Sequence, residues 1–310
     1  MGEPRGLGIV LARRFAAAGA RVALLARDDR ELVRAAADVR GRGGEAYPVV
    51  CDVREEEQCQ AAVARVVARW GRLDVLVNNA GVMQFGPLEH ATVEDVHDAL
   101  HTHVLGPLHM TRAALRHLCA PTNGPGGSRI VNVASIGGLA AAPHMLAYCA
   151  SKFGLVGLSD GLRVELRRHG VLVTTVCPGL LRTGSPPHAR FKGQHEREFS
   201  WFLLGASLPG LSVSAERAAD QIVRACVRGA PRLVIGGPAK LLAVADRLTP
   251  GLVGAAMSLF TRLLPGPDPS ASTDSWSGRE SRTSFPPRWA TRLSDEASVR
   301  NLELAPGYAP

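Results

Sequence analysis

Three side chains between Arg129 and Lys152 have the types and spacing for acid–base chemistry: Ser135, Tyr148 and Lys152. Residues four apart share one face of a helix, so the Tyr148 hydroxyl and the Lys152 ammonium can approach each other. A nearby cation favours the phenolate and lowers a phenol from roughly 10 towards working pH. That makes Tyr148 a candidate general acid or base. Ser135 follows the apolar run Ile130, Val131, Val133 and could hold a substrate oxygen beside the phenol. A tyrosine and a lysine four apart are a weak signal alone, and specificity has to come from the surrounding chain.

That stretch reads as a buried strand, a turn at Gly137-Gly138, and a helix that carries Tyr148 and Lys152 and runs on to about His169. Phe153, Val156, Leu162 and Leu166 give this helix an apolar face for the core or a second subunit. Further short strands are expected at Arg21 to Ala26, Ala46 to Cys51, Leu73 to Val77, Val171 to Cys177 and Leu233 to Ile235. Helices are expected between them, among them Ile9 to Ala18, Asp29 to Arg40, Ala61 to Trp70, Thr92 to Leu118 and Ser214 to Val227. Near the start, Gly2, Arg5, Gly6 and Gly8 form a turn that opens the first helix. Glycines let a backbone approach a pyrophosphate, and the helix N-terminus offers free N–H groups and positive potential.

Ser135, Tyr148 and Lys152, then Pro178-Gly179, with Asn78-Asn79-Ala80-Gly81 and the pattern Gly2, Gly6, Gly8 upstream, resemble the short-chain dehydrogenase/reductase family. The matches keep the family's order from Gly2 to about Gly237, which is most of the chain. The resemblance implies a doubly wound, parallel Rossmann-type sheet with helices on both faces and a nicotinamide cofactor at the strand C-terminal ends. It implies reversible carbonyl/alcohol chemistry: Tyr148 exchanges the proton, Ser135 binds the substrate oxygen, and Lys152 lowers the phenol and holds the nicotinamide ribose. It carries over Asp52 and Val53 to the adenine, Asn79, Ala80 and Gly81 to a close cofactor approach, Pro178 and Gly179 to the strand end, and Thr183 to the carboxamide. Enzymes that choose NAD place a carboxylate after the second strand, where this chain has Ala26 and then Arg27. Two guanidiniums, Arg27 and Arg5, suit a 2′-phosphate, so NADP (NADPH) is expected over NAD.

Two departures accompany the resemblance. No apolar strand precedes the glycine turn, although the family places one there in mid-sheet, so upstream residues are expected to be missing. His103 stands where the family carries an asparagine that positions a relay water; an imidazole can also donate, accept and titrate near neutrality, so His103 is a candidate relay residue. His97, His101 and His103 lie close together without a carboxylate or cysteine at compatible spacing, so no metal site is expected.

The chain has 310 residues, 46% of them hydrophobic, enough for one large domain with additions. Residues 1–238 form the expected Rossmann-type domain, with 184–212 as a substrate lid carrying Phe199, Trp201, Phe202, Leu203 and Leu204. The six cysteines are scattered, which fits reduced thiols and a cytoplasmic location. The formal net charge of +8 has no basic stripe interleaved with aromatics, so no nucleic-acid partner is expected. Residues 239–265 read as an apolar helical segment broken at Thr249-Pro250-Gly251, docking on the domain or a second subunit, with peripheral membrane contact through 240–264 as the alternative. Residues 266–310, rich in Ser, Pro, Gly and Arg, are expected to be disordered. The expected partners are a partly apolar carbonyl or alcohol substrate and a second copy of the chain. A catalytically silent nucleotide-binding regulator or scaffold is the rival reading, and retention of Ser135, Tyr148 and Lys152 together argues against it.

Overall fold

The computed structural model describes residues 4–120, 126–208, 210–268, 273–283 and 287–303. Gly2 of the glycine turn lies outside them.

Strands and helices alternate through the first half: α1 (Gly6–Ala17), β1 (Val22–Ala26), α2 (Asp29–Gly41), β2 (Ala46–Val50), α3 (Glu56–Trp70) and β3 (Val75–Asn78). After the short β4 (Gln84–Phe85) come α4 (Val93–Leu100), α5 (Gly106–Leu118), β5 (Arg129–Val133) and α6 (Leu146–Leu166). Then β6 (Leu172–Pro178), β7 (Leu180–Arg182), β8 (Arg190–Phe191), α7 (His195–Ser207), β9 (Ser212–Ser214), α8 (Ala215–Arg228) and β10 (Arg232–Ile235) complete the α/β part. The elements beyond it are α9 (Gly237–Leu248), α10 (Pro250–Thr261), β11 (Trp276–Ser277) and α11 (Arg288–Arg300).

Strands β10, β6, β5 and β3 pair in that order, all parallel. Side chains alternate across such a strand, and both faces are buried here. On β5, Val131 and Val133 join the core formed with α1, α2 and α8, while Ile130 packs on the other side with α3 and α5. Helices therefore cover both faces, as the resemblance implies. Strands β1 and β2 pair parallel with each other but not with β3. Between the facing edges of β1 and β3 lies a cavity of about 350 Å³ lined by Val22, Ala23 and Leu73 to Val77. This is the mid-sheet place where the sequence reading found no strand.

A buried polar chain ties the strand ends together. Asn78 Nδ2 donates to Asn132 Oδ1 at 2.8 Å, and Asn132 Nδ2 donates to Ser159 Oγ at 3.0 Å. Thr175 Oγ donates to the same Ser159 oxygen at 2.7 Å. Pairing these groups with one another is what makes their burial tolerable.

Helix α10 touches the domain where the Phe260 ring meets Trp201 of α7 edge-on at 6.4 Å, but none of its residues is buried, and Leu252, Leu259 and Phe260 are exposed. It packs on α9, which itself exposes Leu241, Val244 and Leu248. Within the segment expected to be disordered, the described residues carry β11 and α11. Strand β11 pairs antiparallel with β8 in the lid, and Thr291, Ser294, Ala297, Ser298 and Asn301 are buried along one side of α11 and its end. These small or polar residues recur at three- and four-residue spacing, and Leu302 just past the helix packs against the core.

Candidate active site

Ser135, extended (φ −167°), leads from β5 into the turn at 136–138, and its Oγ accepts the Gly137 N–H at 3.1 Å. Gly138 lets α6 close on that turn, because a Cβ there would press on the Lys152 carbonyl. One helical turn apart on α6, Tyr148 and Lys152 face the strand end. The Ser135 hydroxyl lies near the Tyr148 phenol and acts to lower its pKa. Lys152 Nζ donates to the Val133 carbonyl at 3.0 Å and lies 5.6 Å from the centre of the Tyr148 ring. The structure thus brings together the three residues that the sequence grouped.

Their electrostatics differ from expectation. Burial pushes the Tyr148 hydroxyl up to about 12, with the Ser135 hydroxyl pulling the other way. Burial lowers Lys152 to about 7. The lowering expected for Tyr148 is therefore not found: desolvation disfavours both charged forms more than the pair compensates. At neutral pH the phenol keeps its proton, which is the form that donates to a carbonyl.

His103 is fully buried on a π-helical turn, His101–Leu105, between α4 and α5. Its Nε2 accepts the Val82 N–H at 3.0 Å, which puts the ring proton on Nδ1. Nδ1 donates to Ser151 Oγ at 2.7 Å, and Ser151 donates to the Tyr148 carbonyl at 2.8 Å. Burial, then the Lys152 charge, hold the imidazole well below its usual pKa, so it is neutral. Both nitrogens are taken by internal bonds, and neither is offered to the relay expected from the sequence. The imidazole ring meets Tyr148 edge-on at 5.6 Å.

At the β1 and β3 ends, Ala26, Arg27, Asp52, Val53, Arg54, Ala80 and Gly81 line a small pocket. Burial raises the Asp52 carboxyl, but the Arg54 hydrogen bonds outweigh it and hold the group below the usual carboxylate range. Asp52 is thus gripped by Arg54 at 2.6 Å while it borders the pocket. Asn79 sits just ahead of Ala80 and Gly81 on the same segment. Pro178 ends β6, and the Gly179 N–H donates to Ile235 at 2.9 Å. A Cβ at Gly179 would collide with Ala239.

Gly8 sits in the first turn of α1, and Gly6 adopts φ +54°, a left-handed value that favours glycine. Arg5 does not line the pocket with Arg27. It pairs with Glu31 at 2.7 Å and with Glu303 at 3.3 Å. The Gly6 N–H donates to the Asn301 carbonyl at 2.8 Å, and Asn301 Nδ2 donates to the Thr183 carbonyl at 3.0 Å. Thr183 Oγ lies 2.7 Å from Ser185 Oγ. Asn301 and Glu303 were missed by sequence reasoning. The spacing of Thr291, Ser294, Ser298 and Asn301 was the one signal, and it was masked by a composition that reads as disorder.

Segment 184–212 packs beside Phe85. Phe85, Phe191, Phe199 and Phe202 cluster, with the Phe85 and Phe191 rings stacked at 5.1 Å. His144 Nδ1 and Glu198 of α7 form a buried pair at 2.6 Å, and His144 holds φ +60°. Such strain in a non-glycine residue persists only where its surroundings fix it.

The short chain dehydrogenase family matches residues 1–190. A Streptomyces violaceoruber protein that bears the name of a granaticin polyketide synthase ketoacyl reductase is 40% identical over 184 residues, 59% of this chain and 66% of that protein. One from Streptomyces coelicolor, also named as a ketoacyl reductase, is 37% identical over 221 residues, 71% of this chain and 78% of that one. Among solved structures, a metagenomic short-chain oxidoreductase in complex with NADP is 28% identical with a TM-score of 0.60, covering 76% of this chain and 93% of its own. This chain is an oxidoreductase fold carrying the family's Ser, Tyr and Lys at the end of its central strands, and it belongs to the short-chain dehydrogenase/reductase family.

Proposed function

We propose that this chain is an NADP(H)-dependent oxidoreductase that interconverts a carbonyl and an alcohol on a partly apolar small molecule. The observation that carries the reading is the convergence of Ser135, Tyr148 and Lys152 beside a pocket bordered by Arg27. The residues fit a dinucleotide. The space that a Cβ on Gly6 would take holds the Glu303 carboxylate as a stand-in anion, and Arg27 borders the pocket as the cation a 2′-phosphate would need. Residues of this pocket, with Gly6, Gly8, Pro178, Gly179 and Thr183, would hold the cofactor, which supplies a hydride when bound.

Tyr148 gives its proton to the carbonyl oxygen as that oxygen gains charge, and Ser135 donates a hydrogen bond to the same atom. Lys152, when protonated, stabilises the phenolate left behind. His103 is a positioning residue, fixing the Tyr148 backbone through Ser151. The phenylalanine cluster under the lid supports a substrate with an apolar portion, and the relatives' names support a ketone. Exposed Leu146, Phe153 and Val164 along α6 support pairing with a second copy. No helix among the described residues is long and apolar enough to cross a membrane. The exposed leucines of α9 and α10, near Lys240, Arg247 and Arg262, support peripheral contact with an anionic surface.

Cofactor choice is tested by titrating NADPH and NADH into wild type and Arg27→Ala. We expect the substitution to weaken NADPH on the order of tenfold and leave NADH nearly unchanged. Equal weakening of both would remove Arg27 from the 2′-phosphate role.

A further inference from the structure

The C-terminal end of the described chain lies in the turn that the cofactor reading assigns to a pyrophosphate. Asn301 is fully buried and Glu303 nearly so. The Gly6 N–H, the backbone donor that opens the cradle, is spent on the Asn301 carbonyl at 2.8 Å. A methyl group on Gly6 would run into the Glu303 carboxylate, so that carboxylate fills the space glycine leaves. Arg5 Nε faces the same carboxylate at 3.3 Å. The segment is also fixed on the far side of the cleft, where Ser298 Oγ donates to the Gly184 carbonyl at 3.1 Å and Asn301 Nδ2 to that of Thr183 at 3.0 Å. The Glu303 N–H closes back on the Ser298 carbonyl at 2.9 Å, which sets the carboxylate's direction.

We infer that Thr291 to Glu303 form an intrachain strap whose Glu303 carboxylate occupies the anion cradle at Arg5 and Gly6, so that strap docking and dinucleotide binding exclude each other. The inference rests on the cofactor reading above. The site offers one set of backbone N–H groups and one positive end of α1, and two anions cannot share them. The strap is seated for release. It is held mainly by polar bonds that water replaces at modest net cost, among them Arg13 to the Arg300 carbonyl at 3.2 Å and Arg300 to Glu216 at 3.0 Å. Leu302 is its one leucine packed against the core, and its fully buried residues are small or polar, so little apolar surface is exposed when it leaves. A cofactor binding a chain whose cradle is open only part of the time loses affinity by the open fraction.

The test compares the full chain with Glu303→Gln and with a chain ending at Pro287. NADPH and inorganic pyrophosphate are titrated into each, and amide hydrogen exchange of residues 291–303 is followed in the full chain. We expect Glu303→Gln and the shortened chain to bind NADPH more tightly than the full chain, on the order of tenfold. Exchange of 291–303 is expected to speed up as NADPH or pyrophosphate is added. Equal NADPH affinity in all three chains, with the strap still protected at saturating NADPH, would overturn the strap while leaving the cofactor reading intact. If no chain binds NADPH, the cofactor reading fails. The strap is then judged on pyrophosphate alone: loosening by it supports competition at the cradle, and unchanged protection overturns it.

Discussion

Replacing Lys152 by methionine should abolish turnover and yet stabilise the fold. Lys152 is buried, and desolvation lowers it from its usual 10.5 to about 7. At pH 7 the unfolded chain holds this proton fully while the folded chain holds it about half the time, a difference worth roughly 4 kcal/mol against folding. Methionine removes that cost at similar length. It also withdraws the donor from the Val133 carbonyl, 3.0 Å from Nζ, which gives back about 1–3 kcal/mol. The net gain is about 1–3 kcal/mol at pH 7, or a few degrees in melting temperature for a domain of this size. The sign follows from proton binding. Between about 7 and 10.5 the unfolded wild type binds more protons than the folded one, so wild-type stability rises with pH across that window. The protonation cost is therefore full below about 7 and gone near 10.5, and the variant's net advantage disappears at roughly pH 8–10, where that cost falls to the worth of the lost Val133 bond. Urea unfolding of both proteins at pH 6.5, 8 and 9.5, alongside turnover with NADPH, measures both halves. A variant less stable than wild type at pH 6.5, or an advantage that grows with pH, would refute the account of Lys152.

Other substitutions report on the groups that place Tyr148. His103→Ala leaves the Val82 N–H and Ser151 without a ring partner and opens a cavity, which should cost about 2–5 kcal/mol in urea unfolding. A loss below about 1 kcal/mol would show that the buried bonds carry little. Gly138→Ala puts a methyl against the Lys152 carbonyl, so α6 must shift, and kcat should fall at least tenfold while the chain still folds. Unchanged kcat would mean that the turn and α6 are not held in register.

The candidate catalytic residues were legible because they are local. Ser135 ends a strand, Tyr148 and Lys152 share one helix face, and Asn78 to Gly81 end another strand, so spacing together with the family resemblance singled them out. The phenol's acidity was not legible, because burial set it and burial is a property of the whole fold. His103 was readable as a departure but not in its role, since its partners Val82 and Ser151 come from two other segments. Helix α11 was hidden because its buried residues among those described are Thr291, Ser294, Ala297, Ser298 and Asn301, which leave no apolar stripe to read. Arg5 looked like a cofactor ligand because its partners, Glu31 and Glu303, are distant in sequence.

The central claim is that Tyr148 is the proton donor in a nicotinamide-dependent carbonyl reduction. The most direct measurement is carbonyl-dependent NADPH consumption by wild type and Tyr148→Phe, both also made in the chain ending at Pro287, over a panel of ketones that includes ketoacyl compounds. The account predicts turnover by wild type with at least one ketone, a loss of about 1,000-fold or more in kcat for Tyr148→Phe, and nearly equal NADPH affinity in the two proteins. Equal turnover by wild type and Tyr148→Phe would contradict it.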